Sequence, residues 1–131
     1  MALPNGAGGY QFGDGNLNEI NMVTQVAPTA KTAAATLTAA ELTTGIITYT
    51  GAAVALTVPL GTDMDVAFSS MKVNSCFEFS IINTGATNAA TVTANTGCTL
   101  VGAAAVAAAT SCIWRVRKTA DATYVFYRVA G

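Results

Sequence analysis

From residue 31 onward, short runs of alternating polar and apolar residues follow one another, separated by glycine, asparagine or proline. Such alternation predicts β-strands that bury one face. In CFEFSIIN at 76–83, Phe79 and Ile81 share a face opposite Glu78. Other runs predict strands over 33–38, 46–50 and 54–58, with Gly51 in a tight turn between the last two. The closing segments CIWRVRK and TYVFYRV predict an antiparallel pair around Thr119–Ala122.

Two segments have helical rather than strand patterning. Thr38 and Glu41 match the capping box of a single helical turn. In GTDMDVAFSSMKVNS, Thr62 is the predicted N-cap, and Asp63 and Asp65 fall in the first turn, where the helix dipole favours acidic side chains. Three apolar residues would share one face of this short helix: Met64, Phe68 and Met71.

The run GAAAVAAA at 102–109 could be a helix, since alanine is the best helix former. However, it has no cap, no charge and no amphipathic stripe, and its neighbours are all predicted strands. It is also far too short to span a membrane. We therefore predict a short strand or strand-turn. The fold class that follows is all-β: a β-sandwich or jelly-roll of about eight short strands, with one short helix.

Residues 1–30 differ from the body at 31–131. They are rich in asparagine and glycine and have no clear periodicity, which predicts an extended N-terminal arm. Apolar side chains along it could anchor the arm on a neighbouring subunit: Tyr10, Phe12, Leu17, Ile20 and Met22. A disordered tail is the alternative interpretation.

The composition narrows the class of partner. Only 10% of the 131 residues are charged, against about 25% in typical domains. A surface with so few charges is most simply explained if much of it is buried against other copies of the chain, so we expect an oligomer. A net charge of −1 does not favour nucleic-acid binding, and no signal or membrane-spanning segment is visible. The odd set Cys76, Cys98 and Cys112 suggests reduced core residues in a protein folded in a cytoplasm.

The residues do not form a catalytic pattern. With no histidine, the chain lacks the usual base of nucleophilic triads and the commonest metal ligand. Asp63 and Asp65 could be taken as a metal-binding pair, but a place in the first turn of a helix explains both carboxylates. We therefore expect a protein that is not an enzyme, with no metal and no cofactor.

One charge pattern stands out. Arg115, Arg117 and Arg128 lie on the predicted C-terminal hairpin. Arg115 and Arg117 share one face of their strand, and Arg128 shares a face of the partner strand with Tyr124 and Phe126. If the register aligns them, they form an arginine and aromatic patch of the kind enriched at protein interfaces. The alternative is an ordinary solvated face above a core containing Trp114.

Three segments of the chain resemble the decoration, or cement, proteins of tailed-bacteriophage capsids: LTAAELTTGIIT, FEFSIINTG and WRVRKTADATYVFYRV. The resemblance covers about 31–131. It implies a non-enzymatic virion protein, often trimeric, that binds the major capsid protein on the outside of the shell and stabilises it. No contact residue follows from the resemblance itself. Our candidates for the capsid or partner interface are those of the arm (Tyr10, Phe12, Ile20, Met22) and of the hairpin (Arg115, Arg117, Arg128).

The competing function is a receptor- or carbohydrate-binding module of a head fibre or tail. That function needs exposed aromatic platforms, for which the candidates are Tyr49, Tyr124 and Tyr127, although alternation with Val125 and Val129 suggests that Tyr127 is buried. A third possibility, a secreted adhesin, is disfavoured by the unpaired cysteines.

Overall fold

The computed structural model describes residues 22–131. In this part of the chain, β-strands predominate and two short helices interrupt them. The elements in chain order are β1 (Thr29–Lys31), β2 (Ala35–Thr36), α1 (Ala39–Thr43), β3 (Ile46–Tyr49), β4 (Val54–Thr57), α2 (Gly61–Ala67), β5 (Cys76–Asn83), β6 (Ala90–Thr93), β7 (Cys98–Val101), β8 (Ala105–Val106), β9 (Ser111–Ala120) and β10 (Thr123–Ala130).

The strands form two sheets, and the chain alternates between them as far as β8. The larger sheet has the order β1-β3-β5-β9-β10-β7, and the smaller has the order β2-β4-β6-β8. β1, β3 and β5 are parallel to one another, as are β2, β4 and β6. Residues 29–93 therefore wind as a coil, in which each turn, or rung, adds one strand to each sheet.

This topology differs from the predicted one in two respects. The strands on either side of Gly51 were expected to be joined by a tight turn, but β3 and β4 belong to different sheets, so Gly51 lies where the chain crosses between them. Jelly-rolls are built from antiparallel strands, whereas the coil is parallel. Local alternation reveals which residues form strands, but it contains no information about which strands pair.

The crossing from the larger to the smaller sheet uses similar small residues in successive rungs: KTAA at 31–34, YTGA at 49–52 and NTGA at 83–86. The rungs are joined there by backbone hydrogen bonds. Thr50 N donates to Lys31 O at 3.1 Å, and Thr84 N donates to Tyr49 O at 2.8 Å. At Gly51, φ is +149° and an added Cβ would lie 2.5 Å from Thr32 O, so only glycine fits.

The run GAAAVAAA belongs to the same kind of crossing. Gly102–Ala104 lead from β7 to β8, which contains Ala105 and Val106, and a turn follows at Ala108–Ala109. The prediction of a strand-turn is confirmed. Small residues are needed here because Gly102 packs against Arg128: an added Cβ at Gly102 would lie 2.9 Å from Arg128 Cβ.

Each helix follows a strand of the smaller sheet. The capping box of α1 is confirmed, since Thr38 N donates to Glu41 Oε1 at 2.9 Å and Glu41 N donates to Thr38 Oγ1 at 3.2 Å. The prediction that Thr62 caps α2 is wrong. The N-cap is Leu60, without a side-chain cap, because the helix begins one residue before Thr62, at Gly61.

One hydrophobic core contains side chains from both sheets and both helices. The coil contributes mainly aliphatic residues such as Leu56 and Val92, whereas β9 and β10 contribute Trp114, Tyr124 and Phe126, all fully buried. As predicted, Met64 is buried, and Phe68 and Met71 pack against the core. Between residues 22 and 131, no helix has the length and apolar character needed to cross a membrane.

Candidate interaction surface

β9 and β10 form a long antiparallel hairpin, as predicted, and its alternation determines which side chains reach solvent. Trp114 and Val116 face the core, so Arg115 and Arg117 face outward. β5 pairs with the other side of β9, and β7 lies beyond β10. The outward side chains of these strands therefore form one continuous face of the larger sheet.

Arg115 is held by a carboxylate on the neighbouring strand. It lies directly opposite Glu78, and its Nε donates to Glu78 Oε2 at 2.7 Å, while Nη2 donates to the same oxygen. This hydrogen bonding, together with the charge of Glu78, raises the pKa of Arg115 above its usual value. Because both side chains are about half exposed, the pair contributes little to stability and remains available to a partner.

Arg117 is held by an aromatic neighbour. Its Nε and Nη2 donate to Tyr127 Oη at 3.0 and 2.8 Å, and its Nη1 donates to Asn74 Oδ1 at 2.8 Å. The guanidinium carbon also lies 5.7 Å from the centre of the Tyr127 ring, within the range of a cation–π contact. These contacts fix the orientation of the arginine before any partner binds.

We define the outer hairpin patch as these polar residues with the exposed aliphatic side chains beside them. Val101, Ile113 and Val129 are 48%, 37% and 46% exposed. Arginine and tyrosine are among the residues enriched at protein interfaces, and here they lie beside partly exposed aliphatic side chains. The members of the patch are Glu78, Val101, Ile113, Arg115, Arg117, Val125, Tyr127 and Val129.

The predicted grouping of Arg128 with the other two arginines on one face is wrong. Arg128 lies opposite Trp114 in the register, on the inward side of β10. Its Nη1 donates to the carbonyl oxygens of Ala103 and Ala105, at 2.8 and 2.5 Å. The alternation already implied this face, because Arg128 shares it with the buried Tyr124 and Phe126. Arg128 anchors the β7–β8 crossing instead.

The turn of the hairpin is fixed to α2 through Asp65. This carboxylate accepts hydrogen bonds from Tyr124 Oη at 2.6 Å and from Ala122 N at 2.7 Å, and Lys118 Nζ lies 2.9 Å from it. The hydrogen bonds from Tyr124 and Lys118 hold the pKa of Asp65 at about 2. Asp65 therefore links helix and hairpin. Its predicted place in the first turn of α2 is wrong, because the helix begins at Gly61 and only Asp63 lies in that turn.

The three candidate aromatic platforms for sugar binding differ in exposure. Tyr49 and Tyr124 are buried, at 1% and 0% exposed. Tyr127 was expected to be buried, but it lies half-buried on the outer face, because Phe126 occupies the inward position. Of these three tyrosines, Tyr127 alone offers ring surface to solvent.

The cysteines are all free, but only two of them belong to the core. Cys98 and Cys112 are buried, and burial raises the pKa of both thiols, to about 11 for Cys98. Cys76 is exposed at the start of β5, contrary to the prediction. Within the described residues, no three histidine, cysteine, aspartate or glutamate side chains are close enough to hold a metal ion together.

The arm candidates are only partly visible. Tyr10, Phe12 and Ile20 lie outside the described residues, and Met22 is 84% exposed. Glu78 and Asn74 were not predictable as partners of the arginines, because strand pairing brings Glu78 to the patch and a loop brings Asn74 there. The three arginines on the predicted hairpin were the signal that pointed to this surface.

Comparisons with protein-family models, curated proteins and solved structures found no match to this chain.

Proposed function

We propose that this chain is a non-enzymatic structural protein of a bacteriophage virion, which binds the outside of the capsid and stabilises the shell. The observation that carries the proposal is the outer hairpin patch. Its arginines are oriented in advance by Glu78, Tyr127 and Asn74, so little side-chain entropy is lost on binding. The sequence resemblance to decoration proteins gives the class of partner, the major capsid protein.

The architecture fits a rigid building block. We propose that the two sheets are the layers of a β-sandwich, since one core contains residues of both, including Leu56 from the smaller sheet and Phe79 from the larger. With 10% charged residues, the chain has a surface suited to self-association, and a homotrimer is the expected form. Several weak contacts per trimer would then sum to stable attachment.

Co-sedimentation with empty shells of the corresponding phage tests the proposal. The wild-type chain should sediment with the shells in a saturable manner, and Arg117→Ala should bind at least about tenfold more weakly if Arg117 is a hot spot. Lys72→Ala is the matched control, since it removes one exposed positive charge outside the sheet. Failure of the wild-type chain to bind shells would contradict the proposal.

The arm can be tested in the same assay. Deletion of residues 2–25 should abolish shell binding if the arm supplies anchors, while the far-UV circular dichroism of the body remains that of a β protein. In the part of the chain that the structure describes, every strand and both helices begin after residue 25, which is why the body should persist. Unchanged shell binding by the truncated chain would exclude the arm as an anchor.

The alternative function, a carbohydrate- or receptor-binding module of a head fibre or tail, depends on Tyr127. Its ring is the partly exposed candidate, and Arg117 beside it could donate hydrogen bonds to sugar hydroxyls. Binding to a glycan array that is lost in Tyr127→Ala, without binding to shells, would favour this alternative.

A further inference from the structure

A groove runs along the open end of the coil, away from the outer hairpin patch. Its volume is about 530 Å³, and it lies between α1, α2 and β2. Leu37, Ala39 and Pro59 are buried and form its floor, while Val66 stands on its rim with 83% of its surface exposed. The lining is predominantly apolar, with Asp63 as its acidic residue.

Among the residues that the structure describes, the strand beside the groove has a pairing partner on one side only. β2 pairs with β4 on one side and is the first strand of the smaller sheet. The backbone groups on its other side are therefore available to an added extended segment, as in β-strand addition. Within the coil, each strand of the smaller sheet pairs through its backbone with the strand of the next rung. β2 belongs to the first rung.

The chain itself contains a segment of matching character. Every residue from Met22 to Pro28 is exposed, although Met22, Val23 and Val26 are apolar. One side chain holds this segment to the body, since Gln25 Nε2 donates to Thr44 O at 2.6 Å. The segment thus leaves the body beside the C-terminal end of α1, with 21 further residues before it.

We infer that the groove binds the N-terminal segment of a second copy of this chain. The exposure of Met22, Val23 and Val26 indicates that the segment does not pack on its own body. Within residues 22–131, each copy therefore offers both an uncovered apolar groove and an uncovered apolar segment. A ring in which each segment enters the next groove covers both surfaces, and head-to-tail contacts form such a ring when the rotation between neighbouring copies closes. The inference rests on the self-association within the proposed function and assigns its interface.

Solution mass gives the first test. Light scattering of the full-length wild-type chain should give an oligomer, and Val66→Glu should shift it to monomer, with association weakened at least tenfold. Val73→Glu is the matched control: Val73 is exposed and does not line the groove, so the oligomer should persist. A monomeric wild-type chain, or an unchanged Val66→Glu oligomer, overturns the inference.

Crosslinking between labelled and unlabelled chains identifies the occupant. A photo-reactive phenylalanine analogue at position 12 should crosslink to residues 36–39 or 63–67. In a mixture of isotopically heavy and light full-length chains, these crosslinks should join heavy to light. Crosslinks confined to one chain would show that the segment covers its own groove, and crosslinks elsewhere would place it on another surface. Either result contradicts the inference.

These tests require no capsid, so their failure is distinguishable from failure of the proposed function. A chain that binds shells normally but has no groove crosslinks keeps the virion function and loses this interface.

Discussion

The coil and the hairpin both contribute side chains to the hydrophobic core, but these side chains differ in kind. The coil, residues 29–93, uses parallel strands of two to four residues before β5, and its rungs meet at crossings of threonine, alanine and glycine. The hairpin uses strands of ten and eight residues and buries large aromatic side chains. Short parallel strands depend on stacking between rungs, because local turns cannot pair them. The hairpin therefore contributes the largest core side chain, Trp114, and is the platform of the outer hairpin patch.

The two regions meet where α2 contacts the hairpin turn. Gly61 lies so close to Ala122 that an added Cβ would be 2.0 Å from its carbonyl oxygen, and Asp65 binds the same turn. β5 also pairs directly with β9. These contacts should make the coil and the hairpin unfold together.

Removal of the largest core side chain should have the largest effect. Trp114→Ala should lower the free energy of unfolding by about 3–5 kcal/mol, since the ring is fully buried. Urea unfolding followed by far-UV circular dichroism measures the loss. The transition should remain single, because one core contains residues of both regions. Two separate transitions would show that coil and hairpin are independent.

Gly61→Ala should break the contact between the regions. The added methyl meets backbone, which cannot rotate away, so we expect a loss of about 1–3 kcal/mol. Thr62→Ala is the control at the next position, because Thr62 is exposed and does not cap α2. Its effect in the same urea experiment should be within about 0.5 kcal/mol. Equal effects of the two substitutions would contradict the close approach at Gly61.

The Asp65 link should make stability depend on acid pH. The pKa of Asp65 is lowered from 3.8 to about 2 on folding, so the unfolded chain binds more protons in this window. Its contribution is fully present above pH 4 and is lost as the pH falls from 3.8 towards 2. Thermal unfolding between pH 2 and 7 should therefore show a smaller acid-dependent loss in Asp65→Asn than in wild type. If the variant and the wild type lose stability identically as the pH falls, Asp65 is not the source of the acid dependence.

The smallest effect on stability should come from the outer face. Arg115→Ala removes an exposed ion pair with Glu78 and should cost less than about 1 kcal/mol in urea unfolding. Its effect on shell binding should be larger than its effect on stability, which separates a binding role from a structural one. A loss of several kcal/mol would place Arg115 among the residues that hold the fold.

The sequence was informative wherever a feature depends on neighbouring residues. The alternation in β5, the capping box at Thr38 and Glu41, the hairpin turn and the strand-turn at Ala105–Val106 all follow from local chemistry. The coil was missed because each parallel pair joins strands separated by another strand of the other sheet. A signal was present: YTGA and NTGA repeat at equivalent crossings.

The candidate surface was predictable only where it depends on local alternation. Alternation placed Arg115 and Arg117 on one face, but their partners come from β5 and from the loop before it. The same rule, applied to Arg128, Phe126 and Tyr124, would have placed Arg128 inward. The sequence pattern placed Asp65 in the first turn of α2, but only Asp63 lies there, and the role of Asp65 follows from its tertiary contacts with Tyr124 and Lys118.

The most direct test of the proposed function is the position of this chain in the intact virion. Cryo-electron microscopy of purified particles, compared with particles that lack the chain, locates it. We expect additional density on the outer surface of the capsid, in many symmetry-related copies, with the outer hairpin patch towards the shell. Density confined to the tail, or particles that are identical with and without the chain, would contradict the account.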